Sequence, residues 1–152
     1  MTNLNDKIES FELDTDQGKF YSKDHAGKNL VLFFFPKADT TGCTKEAISF
    51  SNLINDFEDL NTIVIGISKD TVDKQKKFKS KYGLKCILGS DVDTKICSKF
   101  GVWVEKSMYG KKYIGVDRST FLINSKGLVE KEWRSVKVKG HVTEVLQALK
   151  EI

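Results

Sequence analysis

The sequence of 152 residues lacks several things at once. Its single proline is Pro36, and only Arg118 and Arg134 are arginines among 25 lysines and arginines. Three cysteines, Cys43, Cys86 and Cys97, form an odd set without paired spacing, which excludes a disulfide-stapled scaffold. A structural zinc site needs closely spaced cysteine pairs, and neither His25 nor His141 lies near a cysteine in the chain, so no metal is expected. The longest apolar run, Leu30 to Phe35, is six residues and far too short to cross a bilayer, so no membrane partner is expected. Met1 to Ser10 is polar and mixed in charge, with no apolar core of a secretory signal, and the expected compartment is therefore cytoplasmic. There is no internal repeat, low-complexity tract or linker, and residues 1–152 read as one domain.

What is present suffices for a packed core: 39% of residues are hydrophobic and 30% charged. The net charge of +4 is carried almost wholly by lysine. Lys74, Lys76, Lys77, Lys79 and Lys81 form the one dense group. They read as a solvated helix face rather than a nucleic-acid surface, because no arginine that could grip phosphates or base edges bidentately stands among them.

Along the chain, short β-like runs alternate with helical ones. Phe11 to Leu13 and Phe20 to Ser22 predict a leading hairpin around Asp16-Gln17-Gly18. Leu30 to Phe35 is a continuous apolar run, as expected of a strand buried on both faces. From Thr44 to about Leu60, Ala47, Phe50, Leu53, Ile54, Phe57 and Leu60 recur at helical spacing. Thr62 to Ser68 reads as a second buried strand, and Val72 to Tyr82 as a basic amphipathic helix stopped by Gly83. A short strand, Cys86 to Leu88, precedes a short helix near Asp93 to Phe100. Val102 to Val116 is expected to be a surface loop or loose hairpin. Ser119 to Ile123 and Leu128 to Trp133 form a hairpin across Asn124-Ser125-Lys126-Gly127, and His141 to Ile152 closes the chain as a helix. Strand–helix–strand units place their strands parallel through right-handed crossovers, whereas the late hairpin must be antiparallel. The resulting α/β architecture is a thioredoxin-like fold, a mixed central β-sheet flanked by helices with an N-terminal β-hairpin.

The chemistry concentrates in Pro36-Lys37-Ala38-Asp39-Thr40-Thr41-Gly42-Cys43-Thr44. A buried strand ends there and a helix begins around Cys43, at the carboxyl edge of a parallel sheet where open α/β folds place their reactive crevices. Unpaired amides and the positive end of the helix dipole favour thiolate over thiol. Gly42 lets backbone amides approach the sulfur, and Thr40 can bring a hydroxyl to the same spot. Arg118 opens a strand antiparallel to the central ones, so its start meets their carboxyl ends beside Cys43. A guanidinium there favours the ionised sulfur and offers fixed donors to an oxygen substrate.

The run Pro36-x-x-x-Thr40-x-x-Cys43 resembles the active-site motif of the peroxiredoxins. Phe35-Pro36-Lys37, Gly42-Cys43-Thr44-x-Glu46-Ala47, Gly115-Val116-x-Arg118-Ser119-Thr120-Phe121-Leu122-Ile123 and Val136-Lys137-Val138-Lys139-Gly140-His141 extend the resemblance, in order, to the bacterioferritin-comigratory-protein or peroxiredoxin Q subfamily. The resemblance implies a thiol peroxidase for hydrogen peroxide and organic hydroperoxides, working without a cofactor and recycled by thioredoxin, glutaredoxin or small thiols. It implies Cys43 as nucleophile, Arg118 holding thiolate and peroxide, Thr40 orienting the peroxide, Pro36 shielding the thiolate, and Glu46 helping to position the arginine. A monomer or weak homodimer is expected.

The sequence departs from its family in one respect. The two positions that commonly carry a resolving cysteine hold Ile48 and Lys79. Cys86, at the start of a strand, would stand roughly 16 Å from the reactive edge at ~3.3 Å per residue, whereas a disulfide needs Cα atoms within about 7 Å. Cys97, in a helix starting nearer that edge, reads as a small buried hydrophobe. One-cysteine behaviour with an external thiol follows. A thioredoxin-type reductase is excluded because Glu46 stands where C-x-x-C needs its second sulfur. The remaining rival is a non-enzymatic chaperone or binding module on the same fold.

Overall fold

The computed structural model describes residues 3–152. The chain opens with a hairpin of β1 (Glu12–Thr15) and β2 (Gly18–Tyr21), one 3-10 turn at Ser22–His25, and β3 (Asn29–Phe34). Then come α1 (Thr41–Asn52), α2 (Ile54–Asp59), β4 (Thr62–Ser68), α3 (Val72–Tyr82), β5 (Ile87–Ser90) and α4 (Lys95–Lys99). A hairpin of β6 (Trp103–Met108) and β7 (Lys111–Val116), a second of β8 (Ser119–Ile123) and β9 (Val129–Trp133), and α5 (His141–Lys150) complete the chain. Seven strands form one sheet in the order β2-β1-β5-β4-β3-β8-β9. The three central strands β3, β4 and β5 are parallel, and β8 lies antiparallel to β3. This is the mixed sheet expected from the alternation of elements.

The run Leu30 to Phe35 is apolar throughout because β3 feeds two cores. Successive side chains of a strand point to opposite faces. Val31, Phe33 and Phe35 pack with Ala47 and Phe50 of α1, Phe78 of α3 and Val145 of α5. Leu30, Leu32 and Phe34 pack on the other face with Phe11, Phe20, Phe100 and Phe121. Phe33 stacks on Phe50 at 4.3 Å between ring centroids, and Gly66 of β4 makes room for that ring. A Cβ at Gly66 would fall 2.4 Å from Phe33 Cζ.

Four details differ from the sequence reading. The helix expected from Thr44 to Leu60 starts three residues earlier, at Thr41, and breaks at Leu53 (φ −105°, ψ 11°). Phe50, Ile54 and Phe57 on either side of the break all enter one core, so their spacing reads as uninterrupted. The strand expected at Cys86 is β5, Ile87–Ser90, so Cys86 precedes it. The next helix is confined to Lys95–Lys99, where the Asp91 carboxylate accepts the amides of Ile96 and Cys97. Val102 to Val116 is a regular hairpin with six residue pairs from Trp103↔Val116 to Met108↔Lys111, turning at Tyr109-Gly110. The basic helix α3 buries Gln75 and Phe78 and turns Lys74, Lys76 and Lys77 outward.

Candidate active site

The site is assembled where β3 runs into α1. Thr44 N–H donates to Thr40 C=O at 2.9 Å, the first helical bond, so the amides of Thr41, Gly42 and Cys43 precede any acceptor the helix supplies. No acidic residue occupies the first turn of α1 to compete for its positive end. Cys43 is the third residue of the helix and only 1% exposed. Cys43, Glu46, Ala47 and Phe50 recur at intervals of three and four, which is why all four face the core. The same spacing stacks the Glu46 carboxylate one turn beyond the sulfur.

Arg118 reaches both groups. Its position follows from register: β8 pairs Ser119 with Phe34, so Arg118 lies one step past the carboxyl end of β3. Arg118 Nη2 donates to Cys43 Sγ at 3.2 Å, and Nη1 donates to Glu46 Oε1 at 2.9 Å. The Arg118 side chain is 17% exposed and the Glu46 side chain fully buried. Burial works against the charge on Arg118, but the Cys43 sulfur and the Glu46 carboxylate offset it, and the arginine stands above its ordinary pKa. For Glu46 the balance runs the other way. Burial outweighs the attraction of Arg118 and pushes the carboxyl up to about 7. Its second oxygen, Oε2, and the Thr44 hydroxyl are buried without a hydrogen-bond partner.

The loop leading into α1 is pinned from several sides. Ala38 N–H donates to Asp70 Oδ2 at 2.7 Å. Asp39, at φ +63°, accepts from the Tyr82 hydroxyl and from Lys81 Nζ of α3, and these two partners hold its carboxyl below the usual range. Thr40 holds the N-cap position of α1 without a side-chain bond to the helix amides, and its hydroxyl donates to Lys37 C=O at 2.8 Å. Pro36 is half-buried at the end of β3. Gly42 lies against the arginine: a Cβ there would stand 3.1 Å from Arg118 Nη2. Its lack of a side chain therefore admits the guanidinium, where the sequence reading had it admit backbone amides. Behind the site, His141 Nε2 shares a hydrogen bond of 2.8 Å with the Thr120 hydroxyl. Burial holds His141 below its ordinary pKa, with Glu144 opposing and Arg118 adding to the effect. Sequence reasoning missed Asp70, Tyr82 and His141 as supports, since nothing in their local spacing signals a contact 21 to 43 residues away in the chain.

Neither remaining cysteine approaches Cys43. Cys86 shares the core of Cys43 but lies before β5, whose Ile87 pairs with Ile65 in the middle of β4. Its thiol is within 3.7 Å of the Ser51 hydroxyl, and burial pushes it up to about 11. Cys97 lies in the core on the opposite side of the sheet. Burial first and then Asp91 push its thiol far up. The sequence reading placed Cys97 nearer the reactive edge; the sheet itself stands between the two sulfurs. Lys79, at one of the two resolving positions, pairs with Asp16 at 2.6 Å and ties α3 to the leading hairpin. Among the described residues no helix is long and apolar enough to cross a membrane.

A model of the AhpC/TSA family matches residues 4–132. This chain is a peroxiredoxin. The putative peroxiredoxin bcp of Coxiella burnetii is 45% identical over 144 residues, covering 94% of this chain and 95% of that protein. Peroxiredoxin Bcp of Bacillus subtilis is 43% identical over 150 residues, covering 98% of this chain and 96% of its own. Among solved structures, PrxQ of Xylella fastidiosa superposes with a TM-score of 0.94 at 36% identity, covering 99% of this chain and 97% of that one. The Xanthomonas campestris bacterioferritin comigratory protein, solved as trapped intermediate and ligand complexes bearing on its alkyl peroxide reduction activity, gives a TM-score of 0.89 at 38% identity over 96% of this chain and 98% of its own. The thioredoxin fold and thiol peroxidase activity of this peroxiredoxin follow, and the non-enzymatic reading is not favoured.

Proposed function

We propose that Cys43 is the sulfur that attacks peroxide and that this peroxiredoxin works with one cysteine, reduced afterwards by an external thiol. The observation that carries this reading is the 3.2 Å contact from Arg118 Nη2 to Cys43 Sγ at the first turn of α1. The thiolate attacks one peroxide oxygen in line with the O–O bond, and the other oxygen leaves with growing negative charge. Arg118 and the amides of the helix start stand ready to stabilise that charge as it develops. Thr40, with its hydroxyl proton given to Lys37 C=O, keeps oxygen lone pairs to accept a hydrogen bond from a peroxide. Pro36, half-buried at the end of β3, limits access of water to the sulfur. Hydrogen peroxide and small organic hydroperoxides fit this chemistry.

Cys43 becomes a sulfenic acid, the reversible first step of cysteine oxidation. Ile48 and Lys79 offer it no sulfur, and the placement of Cys86 and Cys97 supports an external reductant, with thioredoxin tried before glutaredoxin or small thiols. Peroxide consumption by wild type and three single variants tests the reading. Cys43→Ser is expected to abolish it, whereas Cys86→Ser and Cys97→Ser retain the first oxidation step. Turnover surviving in Cys43→Ser, or an internal disulfide as the main product of one equivalent of peroxide in non-reducing peptide maps, would overturn it.

A further inference from the structure

We propose that Glu46 and Cys43 share Arg118 as a single counter-charge, so that oxidation of Cys43 drives ionisation of Glu46. The inference rests on Cys43 as the attacking sulfur. One guanidinium forks between two acids, with Nη2 on the sulfur and Nη1 on the carboxyl, in a setting where the carboxyl is fully buried. With the sulfur ionised, a second negative charge on Glu46 would leave the cluster one charge in excess in a poorly solvated place. Burial by itself pushes the Glu46 carboxyl up to about 7, and a thiolate on the same guanidinium opposes its ionisation further, so Glu46 holds its proton beside the thiolate; the unpartnered Oε2 agrees with a neutral carboxyl. Once the sulfur is a neutral sulfenic acid, Arg118 has no anion beside it and Glu46 ionises to become one.

No other charged group takes over that part. Among the described residues, Arg118 is the cation that acts on Glu46. On α5, packed against α1, His141 is held toward its neutral form and Glu144 accepts from Trp133 Nε1 at 3.1 Å. From α2, the residues entering the shared core are Ile54 and Phe57.

The step balances. The thiolate and the protonated carboxyl react with ROOH to give the sulfenic acid, the carboxylate and ROH. An S–O bond forms from the sulfur electron pair, the O–O bond breaks, sulfur is oxidised by two electrons and the peroxide is reduced. The departing alkoxide or hydroxide takes a proton from water, and Glu46 returns one to solvent. Glu46 acts through Arg118 and is a positioning residue whose charge follows the redox state of the sulfur.

The test is a reduced-minus-oxidised infrared difference spectrum of the full chain with one equivalent of hydrogen peroxide, at about pH 8 and about pH 5, above and below the value that burial sets for Glu46. Wild type is expected to lose a carboxylic-acid C=O band at the higher pH and not at the lower, where burial keeps Glu46 protonated in both states. Glu46→Gln, which keeps an acceptor for Arg118, is expected to lack the band change. Parallel indicator readings at the higher pH should show net proton uptake rising from close to none in wild type to close to one per sulfur in Glu46→Gln. No C=O loss in wild type, or the same loss in both proteins, overturns the proposal. Should Glu46→Gln not fold, the wild-type spectra at the two pH values decide it alone. Dimedone labelling of Cys43 in the same samples separates the two readings. Oxidised Cys43 without the carboxyl signal sinks the coupling alone, whereas unlabelled Cys43 sinks the assignment of the nucleophile.

Discussion

Gly42 and Arg118 show how tightly the site is filled. A methyl group at Gly42 would stand 3.1 Å from a guanidinium nitrogen already committed to the sulfur, so either the arginine or the helix start must shift. Gly42→Ala is expected to lower the rate of Cys43 oxidation by about tenfold or more, equivalent to ~1.4 kcal/mol, measured by stopped-flow tryptophan fluorescence with hydrogen peroxide. Arg118→Lys is not a conservative change. Lysine keeps a charge but has no planar fork to span Cys43 and Glu46 together. Losing one charge-assisted contact in the transition state costs roughly 2–4 kcal/mol, or about 30- to 1,000-fold in rate. A rate within about threefold of wild type, measured the same way, would show that the fork does not serve the reaction.

Helix α1 carries Cys43 and Ile48 on one rigid element. Five residues of helix separate them by about 7.5 Å along the axis and roughly 140° around it, so the two side chains face different directions. Ile48 is half-buried and packs against the margin of the core that Cys43 joins. Ile48→Cys is therefore expected to form a disulfide with Cys43 only as α1 unwinds. Non-reducing peptide mapping should find this linkage after peroxide, and the variant should lose less activity to overoxidation than wild type. The rate of disulfide formation should be independent of peroxide concentration and increase in mild denaturant. Helix α3 contributes in a different way. Its Gln75, fully buried, donates to Ser68 Oγ and Gly89 C=O, while its carboxyl end supplies Tyr82 and Lys81 to Asp39 of the loop leading into α1. The lysine-rich composition of this helix thus conceals a polar anchor on its inner face.

Across the whole molecule, the central sheet keeps Cys43 and Cys97 in separate cores, which supports the proposed reduction of oxidised Cys43 by a thiol from outside. Prolonged exposure to excess peroxide is accordingly expected to convert it to sulfinic acid, with activity falling in step with the mass gain of Cys43. The buried carboxyl also couples stability to pH. Glu46 is pushed above its ordinary value of 4.5 to about 7, so the folded state binds its proton more tightly than the unfolded chain. Its contribution is fully present below the unfolded value and is lost as pH rises through the folded one. Relative to Glu46→Gln, reduced wild type should lose on the order of 1 kcal/mol or more between those limits in urea unfolding. A constant difference across the range would show that Glu46 titrates in the folded chain as it does in the unfolded one.

The order of elements, the buried strands, the helix start at Cys43 and the pairing of Cys43 with Arg118 are legible in the sequence. They arise from local periodicity, from the strand–helix–strand rule and from motifs spread along the chain that resemble the peroxiredoxins. The exact span of α1 was not, because the apolar spacing runs unbroken across Leu53 while the backbone does not. Nor was the regular hairpin of β6 and β7, whose outer residues are polar or exposed and carry no alternation toward a core. Tertiary structure alone decided which face of the sheet each cysteine joins, that Asp39 and Asp70 pin the loop, and that Glu46 is buried deeply enough to hold a proton near neutrality. Those outcomes depend on burial and on contacts between residues far apart in the chain. Local sequence sets neither, because both exist only once the sheet has closed around its two cores.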